Sequence, residues 1–144
     1  MKFSKIKSYA KVNLSLNVAK KLPSKFHKIE SLVSFINLHD LINLRPIQSN
    51  NHKVYFKGKF AKGINTKNTI TRLLKILDNK KLLNNKKFEI KITKNIPHKS
   101  GMGGGSMNAA SLINYFIKKR IFKLDKKELI NLANLVGSDV ILGA

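Results

Sequence analysis

The segment from Lys94 to Ala110 contains the residues of this chain that are best suited to chemistry. It reads Lys-Asn-Ile-Pro-His-Lys-Ser-Gly-Met-Gly-Gly-Gly-Ser-Met-Asn-Ala-Ala, with four glycines in the five positions 101–105. Glycine adopts positive φ without strain and lets a ligand approach the backbone closely. Where such a loop opens into a helix, free N–H groups and the positive end of the helix dipole converge on one point. The segment therefore predicts a phosphate-binding loop.

The sequence on either side of this loop supports that interpretation. Before it, apolar and polar residues alternate over positions 88–92, which predicts a strand. After it, apolar residues recur at helical spacing over positions 109–117. A flexible glycine linker has neither neighbour. The loop also differs from a Walker A loop, which ends in Gly-Lys-Ser/Thr, and from a dinucleotide loop, which has glycine where Ser106 stands.

Composition limits the classes of protein that fit. The chain has 144 residues, 42% hydrophobic content and no cysteine, which indicates one globular domain without disulfides or thiolate metal sites. Its formal net charge is +22, from 29 basic and 7 acidic residues, and this raises the alternative of a nucleic-acid-binding module. Only three of the basic residues are arginine and the lysines are spread along the chain, so we favour a generally lysine-rich sequence that also attracts small anions.

Periodicity indicates how the remaining elements position the loop. Alternation over residues 6–18 predicts a strand with one packed face, and Lys11 and Asn13 then project from its polar face. An apolar run at 29–38 is expected to end at His39-Asp40, and short strands are expected at 41–44 and 54–56. A helix is expected over 70–77, with its cap supplied by residues 65–69. A later helix is expected to begin at the capping box of Asp125 and Glu128 and to end at Gly137. Strands and helices without strict alternation predict an α+β fold. No apolar run is long enough for a membrane span or a secretion signal, so we expect a cytoplasmic protein without a membrane partner.

Three motifs, taken in order, resemble one kinase superfamily. They are Ala10-Lys11-Val12-Asn13-Leu14, the stretch from Pro97 to Ala110, and Gly137-Ser138-Asp139-Val140. Together they are similar to the GHMP kinases, which include galactokinase, homoserine kinase, mevalonate kinase and phosphomevalonate kinase. Phe26-His27 after a turn and the triple glycine most resemble the branch that phosphorylates a cytidylylated methylerythritol in the non-mevalonate isoprenoid pathway. The resemblance implies that residues 1–144 are the ribosomal-protein-like α+β N-terminal domain of a GHMP-type kinase, truncated at its C-terminal end and lacking the family's C-terminal domain.

The resemblance also implies roles for individual residues in transfer of the ATP γ-phosphate to a hydroxyl, with Mg²⁺. Asp139 would accept the proton of the attacking hydroxyl, and Lys11 would hold the carboxylate and stabilise developing charge. Asn13, Phe26 and His27 would contact the small-molecule substrate, with the aromatic and the histidine at the cytosine ring. The implied ATP-binding residues are Asn68, Lys94, Pro97, Gly101, Met102, Gly103, Gly104, Gly105 and Ser106, and Ser106 would also face the Mg²⁺ shell.

Several positions depart from the family pattern. Met102 replaces a leucine, Met107 a second serine and Phe26 a tyrosine, and Ile141 stands where proline often follows the aspartate-valine pair. The first exchange conserves volume, whereas the next two each remove a hydroxyl. Three alternatives stay open on this sequence. They are a kinase completed by a separate C-terminal half or a homo-oligomer, an inactive remnant of a kinase, and a basic nucleic-acid-binding module.

Overall fold

A computed structural model describes residues 2–21 and 27–144. Its strands are β1 Ser4–Lys21, β2 His27–Ile47, β3 Lys53–Lys57 and β4 Lys87–Thr93. Its helices are α1 Thr69–Asn79, α2 Gly104–Lys118 and α3 Lys126–Val136, followed by a 3₁₀ helix at Val140–Leu142. The strands form one sheet in the order β1-β2-β4-β3, in which β3 and β4 are parallel and the other pairs antiparallel. The predicted α+β fold is confirmed.

One face of the sheet and the helices enclose the core. On β4, buried and half-buried residues alternate, so that Phe88, Ile90 and Ile92 face the helices. Burial of each such side chain contributes about 1.5–3 kcal/mol. The helices and β2 supply most of the other large buried side chains: Ile42, Leu44, Ile70, Leu73, Leu77, Leu112, Ile113 and Phe116. No helix in the described ranges has the length and apolar content to cross a bilayer.

The long hairpin of β1 and β2 differs from the expected regular alternation. Tyr9 pairs with His39 but Lys11 pairs with Phe35, so β2 bulges opposite Ala10. Lys11, expected on the polar face, is buried at 3% exposure next to the fully buried Ala10. Met102 and Gly103 lie against its backbone and its stem, and so cover a side chain that alternation alone would place in solvent. The expectation of a polar face at Lys11 was therefore wrong.

The expected break at His39-Asp40 was also wrong, because β2 runs through both residues. Asp40 pairs with Ser8 across the hairpin and is fully buried. A buried carboxylate normally argues against a continuous strand. Here the ammonium of Lys94, on the segment after β4, neutralises it.

Helix α1 forms as predicted from its cap. Asn68 Oδ1 accepts from the N–H groups of Ile70 and Thr71, both at 3.0 Å, and the Thr71 hydroxyl receives the Asn68 N–H. Asp125 and Glu128 form the predicted capping box of α3. That helix ends before Gly137, as expected, but Gly137 is extended, with φ 175°, rather than left-handed. The end of α3 therefore does not require a glycine.

Candidate active site

The glycine loop leads directly into α2. Gly103 is the residue before the helix and has φ 66°, in the left-handed region that favours glycine. No side chain caps this end of the helix, and Met107 N–H donates to the carbonyl of Gly103 at 2.8 Å. The N–H groups of the first helical turn, which lie before Met107, have no partner within the helix. This end of α2 can therefore donate to an anion.

The three consecutive glycines lie against other parts of the chain. A Cβ on Gly103 would lie 2.8 Å from Cε of Lys11, and one on Gly104 would lie 3.1 Å from Nζ of Lys94. A Cβ on Gly105 would lie 3.2 Å from Oγ1 of Thr69, the first residue of α1. The absence of side chains thus lets the loop rest on two lysines and on the start of α1.

Lys11 and Asp139 meet beside Gly103. The N–H of Lys11 donates to the carbonyl of Met102 at 3.0 Å, which ties β1 to the loop. Its Nζ lies 3.6 Å from Oδ2 of Asp139, and the Lys11 side chain is 4% exposed whereas that of Asp139 is 50% exposed. Asp139 is held between the end of α3 and the 3₁₀ helix, where Val140 is fully buried. A half-exposed carboxylate beside a buried ammonium can receive a proton from a ligand that approaches from solvent.

Beside the next glycine, Gly104, Lys94 forms a second pair, with Asp40. This pair is buried, and the Asp40 carboxylate also accepts from Asn108 Nδ2 at 3.0 Å. Beside it lies a cleft of about 850 Å³. Asn68, Lys94, Gly105 and Asn108 line this cleft, and all its ionisable lining residues are basic: Lys67, Arg72, Lys75, Lys94, His98 and Lys99. Such a lining favours an anionic ligand.

A neighbouring cleft of about 490 Å³ shares Asn65, Thr66 and Asn68 and extends to His52 and Asp78. Nδ1 of His52 accepts the Phe88 N–H at 3.1 Å, so Nε2 carries the proton and donates to Asp78 at 3.2 Å. Burial lowers the pKa of His52 below its ordinary 6.5, and outweighs the opposite effect of Asp78. Burial acts to raise the pKa of Asp78, but hydrogen bonds from Lys87 and His52 prevail and lower it below 3.8.

The structure brings most of the sequence-predicted residues together. Lys11, Asp139 and residues 101–106 meet at the loop, and Ser106 Oγ lies 4.0 Å from where a Cβ on Gly137 would stand. Asn68 and Lys94 lie across the cleft from the loop's last glycine. Phe26 lies outside the described residues. For Asn13 and His27 the structure describes the strand pairing: Asn13 pairs with Val33, and His27 pairs with Lys21.

Sequence reasoning missed Asp40, Asn108 and Thr69. Asp40 is one of 7 acidic residues in the whole chain and interrupts an apolar run, but that pattern indicates a break between strands and not a buried ion pair. Asn108 and Thr69 carried no signal of their own, because asparagine and threonine are ordinary residues near helix starts.

Comparison with known proteins agrees with this geometry. Residues 68–144, just over half of the chain, match the family model of the GHMP kinases N terminal domain. The chain therefore belongs to the GHMP kinase family. The resemblance stated from the sequence motifs is confirmed.

Similar proteins point to one branch of that family. Over 139 residues the chain is 62% identical to the 4-diphosphocytidyl-2-C-methyl-D-erythritol kinase of Pelagibacter ubique, covering 96% of this chain and 49% of that protein. The enzyme of the same name from Thermosipho africanus is 36% identical, with 94% and 46% covered. A crystal structure of 4-(cytidine 5'-diphospho)-2C-methyl-D-erythritol kinase superposes with a TM-score of 0.76 at 25% identity, covering 97% of this chain and 48% of the other. The chain thus spans about half the length of these relatives.

Proposed function

We propose that residues 1–144 form the ATP-binding domain of a kinase that phosphorylates a hydroxyl of 4-diphosphocytidyl-2-C-methyl-D-erythritol. One observation carries the proposal: the glycine loop at the start of α2 lies directly against a lysine whose ammonium is 3.6 Å from a half-exposed aspartate. Phosphoryl transfer depends on positioning and on electrostatic stabilisation, and these groups supply both. The 62% identity to the Pelagibacter ubique kinase supports the choice of acceptor.

In the proposed reaction each group has one task. The N–H groups of residues 103–106 hold the phosphate chain of ATP, while the cleft lined by Asn68 and Lys94 holds the nucleoside. The acceptor hydroxyl oxygen forms a bond to the γ-phosphorus, the bond from that phosphorus to the ADP oxygen breaks, and the hydroxyl proton passes to Asp139. Lys11 holds the carboxylate in place and stabilises the charge that develops on the transferred group.

The described residues are compatible with a magnesium ion that ATP brings with it. They contain no group of three or more acidic, histidine or cysteine side chains suited to a metal ion. Mg²⁺ in kinase sites is bound through substrate phosphates, water and one or two protein oxygens, so such a group is not needed. Ser106 supplies a hydroxyl beside Gly137, two positions before Asp139, and would hold the ion. When bound, Mg²⁺ would neutralise charge on the phosphates.

The substrate end of the site rests on the family resemblance. Asn13, Phe26 and His27 would contact the acceptor, with Phe26 stacking on the cytosine ring. A basic nucleic-acid-binding module remains the less favoured alternative, because RNA binding requires neither the glycine loop nor the lysine and aspartate beside it.

Two measurements test this function. The first is binding of ATP by the 144-residue chain, measured by calorimetry with and without Mg²⁺. The second is phosphate transfer by a chimaera that joins residues 1–144 to the remaining half of the Pelagibacter ubique kinase. We expect transfer to the cytidylylated methylerythritol and none to homoserine or mevalonate. Transfer to homoserine or mevalonate instead would refute the acceptor, and failure of the chain to bind ATP would refute the site.

A further inference from the structure

We propose that Asp40 is a positioning residue of the nucleotide site. It holds Lys94, the segment that opens the glycine loop and the start of α2 in one arrangement. The inference rests on the proposed function, because the elements it organises are those that line the cleft. Asp40 itself does not line the cleft.

All the accepting capacity of the Asp40 carboxylate is in use. Its Oδ1 accepts from the N–H groups of Asn95 at 2.7 Å and Ile96 at 2.9 Å. Its Oδ2 accepts from the Lys94 ammonium and from Asn108 Nδ2. Two oxygens with about four lone-pair sites thus receive four donors. Because the carboxylate is fully buried, water does not substitute for any of them.

These four hydrogen bonds join three separate elements. Asp40 lies on β2, residues 94–96 form the connection from β4 to the loop, and Asn108 lies in α2. Nζ of Lys94 is also what a Cβ on Gly104 would meet, at 3.1 Å. The carboxylate therefore fixes the distance between the sheet and the first residues of α2, which carry the N–H groups offered to phosphate.

Asp40 also sets the orientation of the Asn108 amide. Because a carboxylate accepts only, Asn108 must turn its Nδ2 toward Asp40. Its Oδ1 is buried and has no partner within the described residues, although Asn108 lines the cleft. Lys94, whose charge Asp40 neutralises, acts on a nucleotide through its position and not as a free cation.

Asp40→Asn tests the proposal, because it keeps the Oδ1 acceptor but turns an amide N–H₂ against Lys94 and Asn108. Two quantities are measured: hydrogen exchange, without nucleotide, of the hydrogen-bonded amides of Lys94, Asn95, Ile96 and Met107, and the Kd for ATP. The control Ile42→Val lowers stability at a neighbouring buried position of β2 without touching these polar groups. We expect at least about tenfold faster exchange of these four amides and at least about tenfold weaker ATP binding in Asp40→Asn, and neither change in Ile42→Val.

The two readouts separate this proposal from the proposed function. If the unaltered chain binds no ATP, the proposed function fails, and hydrogen exchange still decides the role of Asp40. If Asp40→Asn does not fold, Asn108→Ala replaces it. That variant should speed exchange of the Met107 amide while Asn95 and Ile96 stay protected. The proposal would be overturned if exchange of the four amides and ATP affinity in Asp40→Asn, or exchange of Met107 and ATP affinity in Asn108→Ala, stayed within about twofold of the unaltered chain or changed no more than in Ile42→Val.

Discussion

Two lysine–aspartate pairs lie against the glycine loop, each with a buried lysine, and they differ in the exposure and the hydrogen bonding of the aspartate. Lys94 and Asp40 are both buried, and the carboxylate has all its acceptor sites filled by protein groups. Lys11 and Asp139 are 3.6 Å apart, and the aspartate is half exposed. A saturated buried carboxylate cannot take up a proton from a substrate, whereas an open one can. The loop thus contacts a pair that holds structure and a pair suited to reaction.

The largest effect should come from disabling the open pair in the chimaera. Lys11→Met keeps the stem that contacts Gly103 but removes the charge, and Asp139→Asn removes the proton acceptor. Each should lower kcat by about 10²–10⁴ without loss of fold, because Asp139 takes the proton of the acceptor hydroxyl and Lys11 stabilises charge on the transferred phosphate. Steady-state kinetics measures the loss.

Two variants on the opposite face of the sheet serve as matched controls for this prediction. Lys91→Met removes a 41%-exposed lysine, and Glu89→Gln removes a carboxylate whose pKa the hydrogen bond from Arg45 holds below its ordinary value. Both should leave kcat unchanged. Turnover retained by Lys11→Met or Asp139→Asn at the level of these controls would exclude that residue from the mechanism.

For the free energy of unfolding, we expect the buried Lys94–Asp40 pair to matter more than the Lys11–Asp139 pair. Asp40→Ala leaves the Lys94 ammonium buried without a partner and should cost about 3–5 kcal/mol of unfolding free energy. Asp139→Ala removes a carboxylate that solvent already reaches, so water can replace it beside the Lys11 ammonium and the cost should be clearly smaller. Urea unfolding of the 144-residue chain measures both. Equal costs for the two variants would contradict the distinction between the pairs.

A smaller difference should separate two glycines near the open pair. Gly103→Ala places a Cβ in the left-handed region and 2.8 Å from Lys11 Cε. It should cost about 1–2 kcal/mol and weaken ATP binding. Gly137→Ala meets Val140 Cγ2 at an ordinary 3.6 Å and should change stability by less than about 0.5 kcal/mol. Unfolding midpoints of the two variants decide this, and a greater loss in Gly137→Ala would refute it.

The smallest effect concerns His52, which lies away from both pairs. Its pKa is lowered from 6.5 in the folded chain. The unfolded chain therefore takes up the proton first, so the contribution of His52 is complete above pH 6.5 and is lost as the pH falls through the folded pKa. Unfolding free energy measured from pH 7.5 down should begin to decline near pH 6.5, and His52→Gln should remove this component. A decline of the same size in His52→Gln would assign it to other groups.

The sequence predicted one pair far better than the other. Lys11 and Asp139 could be found because each lies in a motif that resembles the family, and the loop between them is defined by glycines. Strand β4, the cap of α1 and the capping box of α3 could be predicted because their patterns are local. Asp40 could not be placed, since a carboxylate in an apolar run indicates a turn unless its partner, 54 residues away, is known. The burial of Lys11 likewise depends on contact with Met102 and Gly103, far along the chain, and not on local sequence.

The central claim is that the amides before and at the start of α2 bind the phosphates of a nucleotide. Backbone amide NMR of the 144-residue chain, titrated with ATP and Mg²⁺ and separately with adenosine, tests it most directly. We expect saturable shifts of the Gly103–Ser106 and Lys11 amide signals with ATP, and shifts confined to the cleft residues with adenosine. Unchanged Gly103–Ser106 signals at an ATP concentration that saturates binding elsewhere would contradict the claim.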